Sequence, residues 1–150
     1  MNRRFESTMK LKIDLPERII FTTHLEVRAS DINYGGHLGN DSVLTLLQEA
    51  RIHFYRSHGF KDEATIEGSI GQIIAEFAVE YKAESFMGDQ LTIHIGIADT
   101  HKYGFDMVYQ MINTVTGKEI ARARSANLCF DYDKRKIATV PEVLKNKIQF

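Results

Sequence analysis

Apolar residues recur along this chain in two rhythms. Between residues 40 and 59 the spacing is helical: Val43, Leu47, Ala50 and Phe54 follow at steps of four, three and four, and Leu44 and Leu46 widen the stripe. The segment NDSVLTLLQEARIHFYRSHG therefore predicts one long, largely buried helix. Asn40 or Asp41 suits its N-cap, because a short side-chain oxygen can accept an orphan backbone N–H. Gly59 suits the left-handed position that closes a helix.

Elsewhere the rhythm is two. Phe21, Leu25 and Val27 alternate with polar residues over 21–29, which predicts a strand. After the helix, four further strands are expected. Their apolar faces are Ile73-Ala75-Phe77-Val79-Tyr81, Leu91-Ile93-Ile95-Ile97 and Phe105-Met107-Tyr109-Met111. In the fourth, Ile120, Arg122, Arg124, Ala126, Leu128 and Phe130 alternate with Ala121, Ala123, Ser125, Asn127 and Cys129. Breaks at Gly88-Asp89, Lys102–Gly104 and Thr116-Gly117 read as hairpin turns, and a short last helix is expected from Pro141 to Lys147. Strands joined by short turns are antiparallel neighbours. A sheet with one apolar face needs a cover, and only one long helix is available. The expected architecture is α+β: a curved antiparallel sheet of about five strands wrapped around that helix. Its other face and its edge strands then invite a second copy.

Composition narrows the function. A length of 150 residues predicts a single domain over residues 1–150, with a core at about 20–132 and tails at both ends. A net charge of −1 gives no basic footprint for nucleic acid, so no nucleic-acid partner is expected. No apolar run approaches a membrane span, and the two early arginines are not followed by the apolar stretch of a secretory signal. One cysteine, Cys129, cannot form an intrachain disulfide, so a reducing, cytoplasmic setting is expected. His24, His53, His58, His94 and His101 show no metal-ligand spacing, and no metal or cofactor is expected.

The chemistry concentrates in DINYGGHLGN, residues 31–40. A helix N-terminus presents unpaired N–H groups and a partial positive charge. Gly35 and Gly36 permit a ligand to approach the backbone closely. Such a place can hold a carbonyl oxygen and stabilise the charge it gains under attack. His37 stands beside it as proton carrier or hydrogen-bond donor, and Glu49, on a helix read as buried, suits a general base with a raised pKa. The plain alternatives are a turn at Asn33–Gly36, a cap at His37, a turn cap or pairing with an arginine at Asp31, and for Glu49 pairing with Arg51 or Arg28 or exposure to solvent.

On these residues the chain resembles a known family. VRASDINYGGHLGNDSVLTLLQEARIHFYRSHGF is similar to the strand–loop–helix opening of hotdog-fold thioesterases, in the 4-hydroxybenzoyl-CoA thioesterase and short-chain acyl-CoA hydrolase branch. The shared features are the loop ending in Gly36-His37, the helix start at Gly39-Asn40 and the Glu49-Ala50-Arg51 segment. FMGDQLTIHI resembles the family's Gly-Asp turn, and TGKEIARARS its last hairpin. The resemblance implies the hotdog fold, hydrolysis of acyl thioesters of coenzyme A or acyl carrier protein, no metal, and a homodimer or homotetramer with sites at subunit interfaces. It carries Asp31, Asn33, His37 and Glu49 to catalytic roles, and Tyr34, Gly35, Gly36, Leu38 and Asn40 to substrate contact.

The branch's catalytic aspartate falls on Asn33 here. Three substitutes stay open. Asp31 points to the same side if the chain is extended; Glu49 activates water; or Asn33 and His37 orient substrate and water beside acidic partners. In the favoured version Glu49 or Asp31 is the base, while Asn33, His37 and the Gly36–Leu38 amides polarise the carbonyl. Lys82, Lys102, Arg122 and Arg124 are candidates for the phosphates of coenzyme A, and Phe54, Tyr55, Phe60 and Phe77 for an acyl tunnel or plain core. A non-hydrolytic acyl-thioester binding protein, an acyl-carrier-protein thioesterase and a hotdog dehydratase are the competing readings.

Overall fold

The computed structural model describes residues 11–148. Its elements are strand β1 (Phe21–Glu26), helix α1 (Asn40–Ser57), β2 (Ile70–Tyr81), β3 (Gln90–His101), β4 (Gly104–Asn113), β5 (Glu119–Asp131), the short β6 (Lys136–Ile137) and helix α2 (Glu142–Ile148). The strands form one antiparallel sheet in the order β1-β3-β4-β5-β2, with β6 beside the end of β5. The contacts of helix α1 follow from its stripe: Val43, Leu46, Leu47, Ala50 and Phe54 are buried and join one core with Leu91, Ile93, Ile95, Phe105, Met107, Tyr109 and Met111 of the sheet. Helix and sheet thus share one apolar interior, as the hotdog architecture requires.

The helix closes as its sequence dictates. Gly59 takes φ +87°, the Phe60 N–H bonds Tyr55 O (3.0 Å) and the Gly59 N–H bonds Arg56 O (3.0 Å). This paired closure needs a left-handed residue, which glycine supplies without steric cost. The start differs from expectation: the N-cap is Gly39, not Asn40 or Asp41, and no side chain caps the first turn. Asn40 and Asp41 already lie inside the helix, one and two positions past the N-cap.

Two further expectations are corrected. The Gly88-Asp89 break is not a hairpin: β3 is flanked by β1 and β4, so β2 pairs with β5 at the far edge. Residues 82–89 are therefore a crossover along the end of the sheet. It is pinned by Lys82 and Ala83 N–H to Ile120 O, by Leu38 N–H to Ser85 O and by Gly88 N–H to Val27 O. The β3-β4-β5 meander, by contrast, has the expected hairpins. Second, Ile73, Ala75, Phe77, Val79 and Tyr81 do not share one face. The register of β2 on β5 shifts between Ile74 and Glu76, a bulge that changes the phase of the alternation. Gln72 and Ile74 then face inward with Phe77 and Val79, opposite the row Cys129, Asn127, Ser125 and Ala123. That row is small or polar.

The expected tails contribute to the fold. Val140, Leu144 and Ile148 are buried in the main core. Ile13 is buried too, where its N–H bonds Glu80 Oε1 (3.2 Å) and its carbonyl accepts from Arg122 (3.1 Å). Among the described residues no helix is long and apolar enough to cross a membrane.

Candidate active site at the tip of the central helix

Residues 31–39 fold back on themselves. Ile32 and Leu38 form a single antiparallel bridge, and the Asn33 N–H bonds His37 O (2.9 Å). The tip is a turn: the Gly36 N–H bonds Asn33 O (3.1 Å), and Asn33 Oδ1 accepts the Gly35 N–H (2.9 Å). Gly36 takes φ +79°, so the turn needs glycine there. Asn33 thus spends its side-chain carbonyl on the loop itself.

Asp31 does not lie in extended chain. It ends a short 3-10 turn, Ala29–Asp31, and is 3 % exposed. Its Oδ2 accepts from the Arg28 backbone N–H (2.8 Å) and Nε (3.0 Å), and its Oδ1 from Arg28 Nη2 (2.9 Å). The hydrogen bonds from the Arg28 side chain hold its carboxyl below the ordinary aspartate range against the opposing effect of burial. This is a carboxylate engaged in shaping the loop entry, and it is not among the residues lining the cavity described next.

Beside the turn lies a cavity of about 420 Å³, lined by Asn33, Tyr34, His37, Leu38, Asn40, Tyr81, Ala83 and Glu84. The structure therefore brings five of the nine candidate site residues together. Tyr34 is fully exposed at the rim. His37 Nδ1 contacts Leu38 O (3.2 Å), which favours a proton on Nδ1 and leaves Nε2 as the free acceptor, 4.0 Å from Glu84 Oε1. Tyr81 donates from its hydroxyl to Asn40 O (2.8 Å) and ties β2 to the helix start. Tyr81, Ala83 and Glu84 were not foreseen. They arrive through the crossover, and a local reading that takes Gly88-Asp89 for a hairpin cannot bring them here.

The expected amide donors are partly committed. Gly36 N–H serves the turn, Leu38 N–H bonds Ser85 O (2.7 Å) and Gly39 N–H bonds Asp31 O (2.9 Å). Of the Gly36–Leu38 trio, His37 N–H has no partner among the described residues. The first turn of α1 adds the N–H groups of Asn40, Asp41 and Ser42, which have no intrahelical partner and no capping side chain. Their partial positive charge faces the same end of the helix.

Glu49 stands elsewhere. It is 44 % exposed, with Oε1 3.6 Å from His53 Nε2, and lines a groove of about 230 Å³ with Thr45, Gln48, Ile52, His53 and Arg56. The buried setting expected for it is absent within the chain. It lies nine residues along α1 from Asn40, about 13 Å at the helical rise. Within one chain it does not reach the tip.

Phe54 and Tyr55 are fully buried core, in edge contact at 5.1 Å. Lys82 pairs with Glu80 and Glu119, Arg122 with Glu119, and Arg124 with Asp106 and Asp99. Burial pushes the Cys129 thiol up to about 11, so it stays protonated and inert at neutral pH.

A curved antiparallel sheet around one helix, with a glycine-bearing loop opening a cavity at the uncapped helix start, defines the hotdog class of thioester hydrolases. The model of the thioesterase-like superfamily matches residues 27–148, and the chain belongs to that superfamily. No curated protein sequence matches it. Among solved structures it is similar to Slr0204, a 1,4-dihydroxy-2-naphthoyl-CoA thioesterase from Synechocystis (19 % identity, 86 % of this chain and 95 % of that one, TM-score 0.76). It is similar to the gentisyl-coenzyme A thioesterase BH1999 (20 % identity, 85 % and 99 %, TM-score 0.75). A third is the hypothetical protein SAV2348 from Staphylococcus aureus, solved in complex with CoA (15 % identity, 92 % and 86 %, TM-score 0.78).

Proposed function

We propose that the protein hydrolyses acyl-CoA thioesters as a homodimer. The observation that carries this reading is the uncapped start of α1 opening on the cavity that holds His37. A thioester carbonyl seated there faces the N–H groups of the first helical turn and of His37, donors that strengthen as oxyanion character develops. Asn33 shapes the turn that presents them.

The base is Glu49, supplied by a second copy. Strand β2 is an edge strand; its Ile70–Gln72 end is taken by Glu63, Ile66 and Glu67 of the same chain, and the remainder of its outer side is available for pairing. Antiparallel pairing of two β2 strands beyond Gln72, about a two-fold axis, runs the two strands in opposite directions. The two α1 helices then run in opposite directions, and Glu49 of the partner subunit approaches the tip. It takes a proton from water as the oxygen attacks the carbonyl carbon. The tetrahedral intermediate collapses, the C–S bond breaks, and the proton returns to the thiolate sulfur. The products are a carboxylic acid and free CoA thiol. Asp31, held by Arg28 on both oxygens, maintains the loop.

CoA as carrier is supported by two neighbours that are thioesterases of aromatic acyl-CoAs and a third in complex with CoA, while another similar structure is a 12:0-ACP thioesterase. A single, buried cysteine suits a reducing, cytoplasmic setting. The test is thiol release from aliphatic and aromatic acyl-CoAs, with the oligomeric state measured by light scattering. Turnover by a dimer is expected. Tight binding of acyl-CoA without thiol release selects a binding protein instead, and a strictly monomeric active enzyme removes Glu49 as base.

A further inference from the structure

The proposed base does not stand alone on its helix. Glu49 and His53 are four residues apart in α1, so one side chain lies above the other along the axis. His53 Nε2 stands 3.6 Å from Glu49 Oε1, and both residues line the groove of about 230 Å³ on the outer side of the helix. That separation is an ion-pair distance, a small turn of the carboxylate short of a hydrogen bond. A half-exposed pair of this spacing is ordinarily a loose contact for which water competes. This one is tied to a second element. Thr23 shares the inward face of β1 with Phe21, whose ring meets Phe54 of α1 edge-on at 5.7 Å. From there the Thr23 hydroxyl reaches His53 Nδ1 at 2.8 Å.

The two contacts together select a tautomer. A ring nitrogen facing a carboxylate oxygen carries the proton, because two lone pairs repel. Nε2 is then N–H, Nδ1 is the acceptor of the neutral ring, and the Thr23 hydroxyl donates to it. Thr23 thereby fixes the plane of the imidazole, and the imidazole presents one N–H to one oxygen of Glu49. The guanidinium groups nearby are engaged elsewhere. The Arg28 charge attracts Glu49, but Arg28 Nε and Nη2 are held by Asp31. Arg56, in the same groove, donates from Nε to Lys61 O (3.2 Å).

We propose that His53 is a positioning residue for the hydrolysis: backed by Thr23, it holds Glu49 Oε1 and leaves the second carboxylate oxygen to face the attacking water. The inference rests on the proposed hydrolase, in which Glu49 is the base. His53 touches neither substrate nor water. It restrains a half-exposed side chain that otherwise samples several rotamers, and the rate depends on how often the base is in line with its water. Loss of that restraint belongs in kcat rather than in KM.

The experiment measures thiol release from acyl-CoAs, dimerisation and thermal melting for His53→Ala, His53→Gln, Thr23→Val and Glu49→Gln, and for His53→Ala combined with Glu49→Gln. His53→Ala should lower kcat by roughly ten- to a hundredfold, with KM and the melting temperature nearly unchanged. His53→Gln, whose amide can still donate to Glu49, should recover most of that loss. Thr23→Val frees the ring to turn and should cost several-fold. In the Glu49→Gln background His53→Ala should cost nothing further, because the two residues act as a unit. NMR of the protein labelled with 15N-histidine gives a readout independent of turnover: the neutral His53 ring should carry its proton on Nε2, and that preference should weaken in Thr23→Val. A His53→Ala enzyme with wild-type kcat, beside a Glu49→Gln enzyme that is slow, overturns the assignment and leaves the hydrolase standing. So does an undiminished further loss in the double variant, or a neutral ring protonated on Nδ1. Absence of thiol release from the wild type, or full activity of Glu49→Gln, removes the base and the role of His53 with it.

Discussion

The tip of α1 and its middle treat polar groups in opposite ways. At the tip, the loop satisfies most of its own hydrogen bonds: Asn33 and Asp31 are consumed by the turn and by Arg28, yet the first helical turn goes uncapped. In the middle, Arg51, Tyr109, Ser125, Asn127 and Tyr55 are buried and satisfied one after another. The difference teaches where to look for function. A polar residue is a candidate when the surrounding fold has not already used it. By that criterion Asp31 is a carboxylate already engaged by Arg28, while the helix start, His37 and Glu49 are the candidates left.

The largest effect expected from breaking this division is at Glu49. Glu49→Gln removes a base but keeps shape on a half-exposed helix face. It should lower kcat by about 10²–10⁴-fold and leave the melting temperature and dimerisation nearly unchanged. Mixing it with a second inactive variant carrying His37→Ala sharpens the point. If loop and base come from different subunits, the mixed dimer contains one site with both groups intact, and activity should reappear after subunit exchange. No recovery would place both groups in one chain's site.

Next in size is the network. Arg51→Met removes a buried cation and strands Glu63 and the Tyr109 hydroxyl. Burial works against the Arg51 charge, but Tyr109 and Glu63 more than offset it. Breaking one partner of a buried pair costs about 3–5 kcal/mol. The expected outcome in urea denaturation is a loss of that order with an unchanged denaturant slope. Glu49→Gln and Arg51→Met thus separate the two regions: one loses rate without stability, the other stability.

How much of this was legible in the sequence follows from the range of the interactions involved. The stripe Val43-Leu47-Ala50-Phe54 and the alternating faces of β3 and β4 are local patterns, and they matched the buried residues. The class was legible because the Gly36-His37 loop and Glu49-Ala50-Arg51 stand at a recognisable spacing. The position of β2 was not, because which strand it pairs with depends on β1 and β4 having occupied both sides of β3. Gln72 was hidden for a related reason. In IGQIIAEF the glutamine reads as the polar, outward phase, and only the bulge after Ile74 turns it inward. The exposure of Glu49 was one of the open alternatives, since an apolar stripe does not say whether its flank meets water or a second copy.

Asp31 provides the smallest effect and the strictest test of the claim that the loop's carboxylate is structural. Asp31→Asn keeps the oxygen that accepts the Arg28 backbone N–H but removes the charge that holds the guanidinium. The loss at neutral pH should be about 1–3 kcal/mol, the range for hydrogen bonds to charged groups. Its pH dependence has a definite sign. The Asp31 carboxyl is held below its ordinary range in the folded state, principally by the Arg28 side chain. Its contribution is therefore fully present above the unfolded value of about 3.9 and is lost as pH falls through the lower folded value. The stability gap between wild type and Asp31→Asn, measured by urea melts at successive pH values, should stay constant from neutral down to mildly acid conditions and then close. The same variant should hydrolyse acyl-CoA with kcat within a few-fold of wild type, because the group it loses is not in the cavity. A kcat collapse at unchanged stability would reassign Asp31 from scaffold to base and return the reaction to a single protomer.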